Sequence, residues 1–172
     1  VRLRPLRRDD LPRLHAWYQQ PELWDHLVRD FTPRGEAEAL LYMERWLSPS
    51  ETELRLGIEV QDEGADPQLV GVAFYAPLDR AGGWAELHTM IGEPGERGRG
   101  VGRRAVAELM DHGFALGLTR IELRVLETNA AARRVYEICG FRVTGGDGEA
   151  LKGGRPVAVL KMEVRQPRSA TT

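Results

Sequence analysis

The sequence of 172 residues holds one cysteine, Cys139, so no disulfide forms within the chain. That scarcity fits a reducing, cytoplasmic setting. No apolar run approaches the roughly 18 residues of a membrane span, and no membrane association is expected. The opening VRLRPLRRDD is basic but has no apolar core segment, so it does not read as a signal peptide. Basic excess is absent as well. The formal net charge is -2, which gives no overall field for nucleic acid. His15, His26, His88 and His112 show no metal-ligand spacing, so no metal is expected. No G-x-S-x-G nucleophile turn occurs.

What is present suffices for one globular domain: 42% of residues are hydrophobic. The pattern predicts a domain over residues 1–165 and a short, polar, frayed tail over 166–172. Val1 to Leu6 alternates as a strand. Asp9 or Asp10 caps a helix carrying Leu11, Leu14 and Trp17 or Tyr18 on one face. A second helix is predicted from Pro33 to Leu47. Strands follow at 53–60, 68–76 and 84–92, joined by turns. A helix from Gly100 to Leu116, a strand at 118–127 and a helix from Asn129 to Gly140 come next. That last helix carries Ala131, Val135 and Ile138 as its apolar stripe. FRVTGG and RPVAVLKMEV close the chain as two strands. The order describes a mixed sheet with helices on its faces, an α/β (mixed α+β) class.

Residues 97–104, RGRGVGRR, put four arginines and three glycines at a helix start. Helix N-termini are partially positive, so cations there are unfavourable unless an anion joins them. Glycines admit a close ligand, free first-turn N–H groups point at it, and arginines suit phosphate oxygens. The alternative is a solvated basic loop. A P-loop fails, because Arg103 and Arg104 stand where Lys and Ser or Thr are needed. Gly100, Gly102 and Ala105 match a dinucleotide-binding G-x-G-x-x-A, with Glu122 as its ribose acid. But eight residues separate Ile91 from Gly100, where that motif follows its strand directly.

Arg97, Gly100 and Gly102 as R-x-x-G-x-G, together with NAAARRVYEICGF at 129–141, resemble the two signatures of the GNAT superfamily of N-acetyltransferases. The resemblance covers roughly residues 1–165, and LRPLRRDDLPRLHAWYQQPELW is similar to the branch of RimJ/RimL-type protein N-terminal acetyltransferases. It implies the GNAT fold, a mostly antiparallel mixed sheet of about seven strands flanked by about four helices. It also implies acetyl-CoA as donor, a primary amine as acceptor, and direct attack in a ternary complex. Homodimerisation is compatible with the family, and nothing in the sequence decides it.

The resemblance implies site residues too. The pantetheine arm would lie against backbone from Met90 through Ile91 to Gly92, in a gap between two strands. Amides over Arg97, Gly98, Arg99, Gly100, Val101, Gly102 and Arg103 would hold the pyrophosphate. An N–H near Met90 would polarise the thioester carbonyl. Tyr136 matches the tyrosine that protonates the leaving thiolate; its alternative is plain packing. Asn129 is a cofactor contact, a helix cap, or both. Arg133 or Arg134 reaches the adenosine phosphates or faces solvent. For the base, Arg124 occupies the position where the RimI-like pattern has Glu. Glu86, eleven residues before Arg97, matches the histone acetyltransferase pattern, and His88 shares its strand face. Glu86, His88 or a water chain therefore remain as routes for the proton. The absent Glu also admits a non-catalytic acyl-CoA-binding module. Trp17, Tyr18, Trp24, Phe31, Tyr42 and Trp46 crowd the first third as core or acceptor-pocket residues, and Glu22, Asp25 and Asp30 could attract a cation. Cys139 reads as a small core residue.

Overall fold

The computed structural model describes residues 1–29 and 35–166. The chain folds as β1 (Arg2–Pro5), α1 (Leu11–Tyr18), α2 (Pro21–Trp24), α3 (Glu36–Glu44), β2 (Leu54–Val60), β3 (Gln68–Asp79) and β4 (Trp84–Ile91). Then come α4 (Val101–Ala115), β5 (Arg120–Leu126), α5 (Ala130–Ile138), β6 (Arg142–Lys152) and β7 (Arg155–Arg165). Pro33, the expected helix start, lies outside the described residues, as do Asp30 and Phe31.

The strands form one seven-stranded sheet in the order β1-β2-β3-β4-β5-β7-β6. The β4–β5 pair is parallel and the other pairs are antiparallel. The mixed, mostly antiparallel sheet expected from the sequence is present. Each face carries its own core. On one face α4 and α5 cover Ile58, Ala73, Tyr75, Leu87, Ile121 and Leu123. On the other, α1, α2 and α3 bring Leu14, Trp17, Leu23 and Met43 onto Val72 and Met90. Among the described residues no helix is long and apolar enough to cross a membrane.

Three departures from the sequence reading have physical causes. The four-residue α2 is too short to show periodicity; Pro21 at its first position starts it. β6 runs to Lys152, well past the expected FRVTGG. It is an edge strand, exposed along most of its length and broken in register at Val143/Gly145 and Gly146/Glu149, so it carries no alternating apolar signal. In α5 the buried stripe is not Ala131, Val135 and Ile138. Ile138 is 55% exposed, while Ala132, Val135, Tyr136 and Cys139 pack on the core. Both sets have helical spacing; the face holding the tyrosine ring buries more area and wins.

Candidate active site

The ladder between β4 and β5 is short. Trp84 pairs with Arg120, Ala85 with Ile121 and Glu86 with Glu122, and there the pairing ends. β4 continues to Ile91 and β5 to Leu126, each held by its other neighbour alone. A cleft opens between them, and its walls are unpaired strand edges whose N–H and C=O groups need partners. Met90 on this stretch is a core side chain under α1 and α3, and Ile91 packs against the opposite core. Gly92 has a packing reason: a Cβ there would fall 2.0 Å from Cδ2 of Trp17. The α1 indole therefore lies directly on the end of β4.

Beyond Gly92 the chain turns back on itself. The Arg97 guanidinium donates to the carbonyls of Ile91, at 3.0 Å, and Gly92, at 3.1 Å, so this arginine fastens the loop. Arg99 pairs with Glu96 at 2.7 Å. Gly98 and Gly100 take φ of 75° and 78°, which an L side chain resists. Gly100 is the N-cap of α4 and supplies no side-chain acceptor, so the amides of Val101, Gly102 and Arg103 keep their donors. Val101 itself is buried. At Gly102 φ is not left-handed, and a Cβ would meet one atom within 4 Å, Ile91 Cγ1 at 3.8 Å. Neither backbone nor packing requires glycine there. The side chains of Arg103 and Arg104 are exposed.

α5 begins across the cleft. Asn129 caps it, its Oδ1 accepting from the Ala132 N–H at 3.1 Å. Its Nδ2 donates to the His26 carbonyl at 3.0 Å, tying the segment after α2 to this helix. The amide thus serves as a cap and a tether. Arg133 donates to the Glu127 carbonyl, and Arg134 is exposed. Tyr136 is 7% exposed, its ring edge-on to Phe141 at 5.9 Å between centroids. Burial, with Cys139 beside it, pushes the phenol up to about 12. Its hydroxyl has no hydrogen-bond partner among the described residues. Cys139 is half-buried, with Sγ 3.7 Å from the Arg103 carbonyl, and burial raises its thiol.

Glu86 and His88 do share a face of β4, at the mouth of the cleft. Arg124, reaching over from β5, forks Glu86: Nε and Nη2 each donate to one carboxylate oxygen at 2.9 Å. Both oxygens are thereby engaged, and Arg124 also lies 3.5 Å from Asp147. His88 Nε2 is 2.9 Å from the Ala76 carbonyl and 3.4 Å from Glu86 Oε1. A carbonyl can only accept, so Nε2 carries the hydrogen and Nδ1 holds the lone pair. Burial outweighs the Ala76 hydrogen bond and Glu86, and holds the imidazole below its usual pKa. Phe74, opposite on β3, stacks on His88 at 4.7 Å. Arg55 sits opposite Phe74 on β2, its guanidinium over Phe74 and Trp46. Tyr18, Trp24 and Trp46 form edge-to-face contacts beside this row.

The acetyltransferase (GNAT) domain family matches residues 1–142, from β1 to the start of β6. The chain belongs to the GNAT family. It is 26% identical to the spermidine N-acetyltransferase of Vibrio cholerae, whose crystal structure holds CoA and spermine. That likeness covers 96% of this chain and 95% of the other, with a TM-score of 0.84. It is 37% identical over 98 residues to the mycothiol acetyltransferase of Beutenbergia cavernae, covering 57% of this chain and 30% of that protein. Over 78 residues it is 40% identical to the N-alpha-acetyltransferase RimI of Mycobacterium tuberculosis, covering 45% of this chain and 48% of that protein. The chain thus spans less than half the length of these two relatives.

A GNAT domain moves an acetyl group from acetyl-CoA to an amine, and the residues around the cleft fit that donor. Gly102 leaves open the space that a Cβ would fill at the α4 N-terminus. Of the buried side-chain polar atoms without partners among the described residues, Thr89 Oγ1 lies on the unpaired stretch of β4. Arg133 Nε lies on the first turn of α5, and Glu96 Oε2 in the loop between. Thr89 Oγ1 and Arg133 Nε can each donate to a polar ligand, whereas the carboxylate oxygen of Glu96 can only accept. The dinucleotide alternative has no such support: Glu122 is buried and paired with Lys161 and Arg120. Among the described residues no group of three His, Cys, Asp or Glu could hold a metal ion. The sequence reading missed Thr89, whose hydroxyl is ordinary in a strand, and the Arg124–Glu86 fork, which depends on strand register.

Proposed function

We propose that residues 1–165 form one acetyltransferase domain that acetylates a primary amine by direct attack in a ternary complex. Two kinds of acceptor follow from its opening residues and its relatives: a protein N-terminus and a small-molecule amine. The observation that carries the reading is the parting of β4 from β5 just beyond Glu86, in front of an uncapped helix N-terminus. A pantetheine arm fits the open strand edges at Met90–Gly92, and a pyrophosphate fits the amides over Arg97–Arg103. Arg97 acts by fixing that loop, and Arg103, Arg104 and Arg133 supply positive charge at its rim.

Acetyl-CoA supplies an activated acyl carbon and a thiol leaving group with a pKa near ~8.5. The attacking ammonium, near ~10.4, must first lose a proton. His88 is the better acceptor of the two candidates, because its Nδ1 lone pair is free while both Glu86 oxygens are held by Arg124. Tyr136 keeps its proton on Oη and offers it to the departing sulfur. Positioning of both partners supplies much of the rate.

The test is calorimetric titration with acetyl-CoA, with NADH as control, on wild type and Gly102→Val. Valine puts methyls into the space at the α4 N-terminus at no left-handed backbone cost. Acetyl-CoA affinity should fall at least about tenfold, roughly 1.4 kcal/mol. Undiminished affinity sinks the pyrophosphate site, and NADH binding in place of acetyl-CoA sinks the whole reading. Release of free CoA thiol in the presence of amines separates a transferase from a non-catalytic acyl-CoA-binding module.

A further inference from the structure

Resting on that acetyl-transfer reading, we propose that Arg124 is a positioning residue for the base. By forking both oxygens of Glu86, it offsets the pull of that carboxylate for a proton on His88 and leaves His88 a neutral proton acceptor.

Arg124 and His88 both face a single carboxylate, Glu86. Glu86 and His88 are two residues apart on one face of β4, and their side chains are 3.4 Å apart. An unopposed carboxylate at that distance favours the imidazolium. A protonated His88 cannot take a proton from an ammonium. Arg124 stands two residues beyond the last β4–β5 pair, so its side chain spans the mouth of the cleft and reaches Glu86 from the opposite strand. Its geometry is the two-bond fork in which arginine binds carboxylate best. The guanidinium cancels the Glu86 charge and adds a like charge against imidazolium. The cation thus sits where the RimI-like pattern has a carboxylate, and the carboxylate sits on β4. Base function has moved to the neighbouring histidine.

The other charges facing His88 are few. Arg29, in the segment after α2, also opposes its protonation. Arg55 lies behind Phe74 and is paired with Glu53 at 2.7 Å. Asp147 on β6 touches Arg124 rather than His88. None of these supplies a second carboxylate in contact with the imidazole among the described residues. Beyond burial, which already holds the imidazole below its usual pKa, Glu86 is the contacting carboxylate that favours a proton on His88, and the Arg124 fork opposes it.

The experiment follows the His88 imidazole by NMR across pH, assigned with His88→Gln, alongside the pH profile of kcat/KM. In Arg124→Gln the His88 midpoint should rise by about one pH unit or more. The acid limb of kcat/KM should move up with it, while rates at high pH converge on wild type. Glu86→Gln alone should move the midpoint the other way, and adding it to Arg124→Gln should bring the midpoint back toward wild type. Arg124→Lys, which keeps the charge but loses the fork, should fall between. A His88 midpoint unmoved by Arg124→Gln overturns the proposal, as does a midpoint that moves while the acid limb stays in place. A protein that shows these imidazole shifts but releases no CoA thiol with any amine refutes the transferase reading instead, and the charge coupling stands.

Discussion

A phenol can serve as a general acid at neutral pH while it holds its proton and faces the group that needs it. Tyr136 meets the first condition through burial, which lifts it to about 12. Its side chain is in the core face of α5, so packing and proton donation reside in one residue. Tyr136→Phe separates the two, since it keeps the ring against Phe141 and removes the hydroxyl alone. Turnover should fall about 10- to 100-fold, at or below the roughly 100-fold lower bound usual for general acids, because a thiolate leaves without much help. Acetyl-CoA affinity by calorimetry and the melting temperature should stay within error of wild type. Unchanged turnover would return Tyr136 to packing alone. The sequence showed Tyr136 through its place between Asn129 and Gly140. It could not show which side of α5 is buried, because Ala131–Val135–Ile138 and Ala132–Val135–Tyr136–Cys139 both satisfy a helical repeat. For the same reason Glu86 and Arg124 were each visible, yet their contact was not: a parallel register between distant strands leaves no local trace.

At the scale of elements, legibility followed length and one-sided burial. α4 was readable because Val101, Ala105, Val106 and Leu109 recur at helical spacing over a long run and all are buried. α2 and the far half of β6 were not, the first for its length and the second for its exposure. The docking of α1 on β4 was also hidden. It rests on a tryptophan and a glycine 75 positions apart in the chain, Trp17 and Gly92. That contact joins the helices of one face to the strand that forms one wall of the cleft. Gly92→Ala forces the indole or the strand to move, because the added carbon would lie well inside contact distance of the ring. Overpacking of this kind costs about 1–3 kcal/mol, and chemical denaturation should show a loss of that size. Trp17→Leu in the same chain makes room and should recover part of what Gly92→Ala removes. If Gly92→Ala leaves stability unchanged, the indole is not held against the strand.

On the scale of the whole molecule, the sheet edge that starts the fold is secured by charge. Arg4 on β1 donates to Asp10 at 2.7 and 2.9 Å and to Glu59 on β2 at 2.7 Å, and all three are buried. Arg2 adds a second guanidinium to Glu59. The group ties β1 to β2 and to the turn that opens α1, so it sets the base from which Trp17 reaches the cleft. Burial pushes both carboxyls upward, but the hydrogen bonds and charge of Arg4, with Arg7 at Asp10 and Arg2 at Glu59, outweigh it. The result is pKa values below the ordinary 3.8 and 4.5. A carboxyl with a depressed folded pKa stabilises the fold fully above its unfolded pKa. That contribution is lost as pH falls through the folded value, since the unfolded chain then binds more protons. Stability from this triad should therefore be complete above about pH 5 and decline progressively below pH 4.5. Arg4→Met leaves the buried Asp10 carboxylate without its guanidinium and Glu59 with Arg2 alone, and should cost about 3–5 kcal/mol at neutral pH, as for other buried pairs broken on one side. The sign distinguishes charge from packing. Once Arg4 is gone, only the Arg7 N–H and charge oppose burial at Asp10, so its pKa rises, and acidifying from pH 7 to 5 should narrow the gap between variant and wild type. Urea denaturation at pH 7, 5 and 4 measures this directly, and a gap that stays constant across the three would mean that Arg4 contributes through its methylene stem and not its charge.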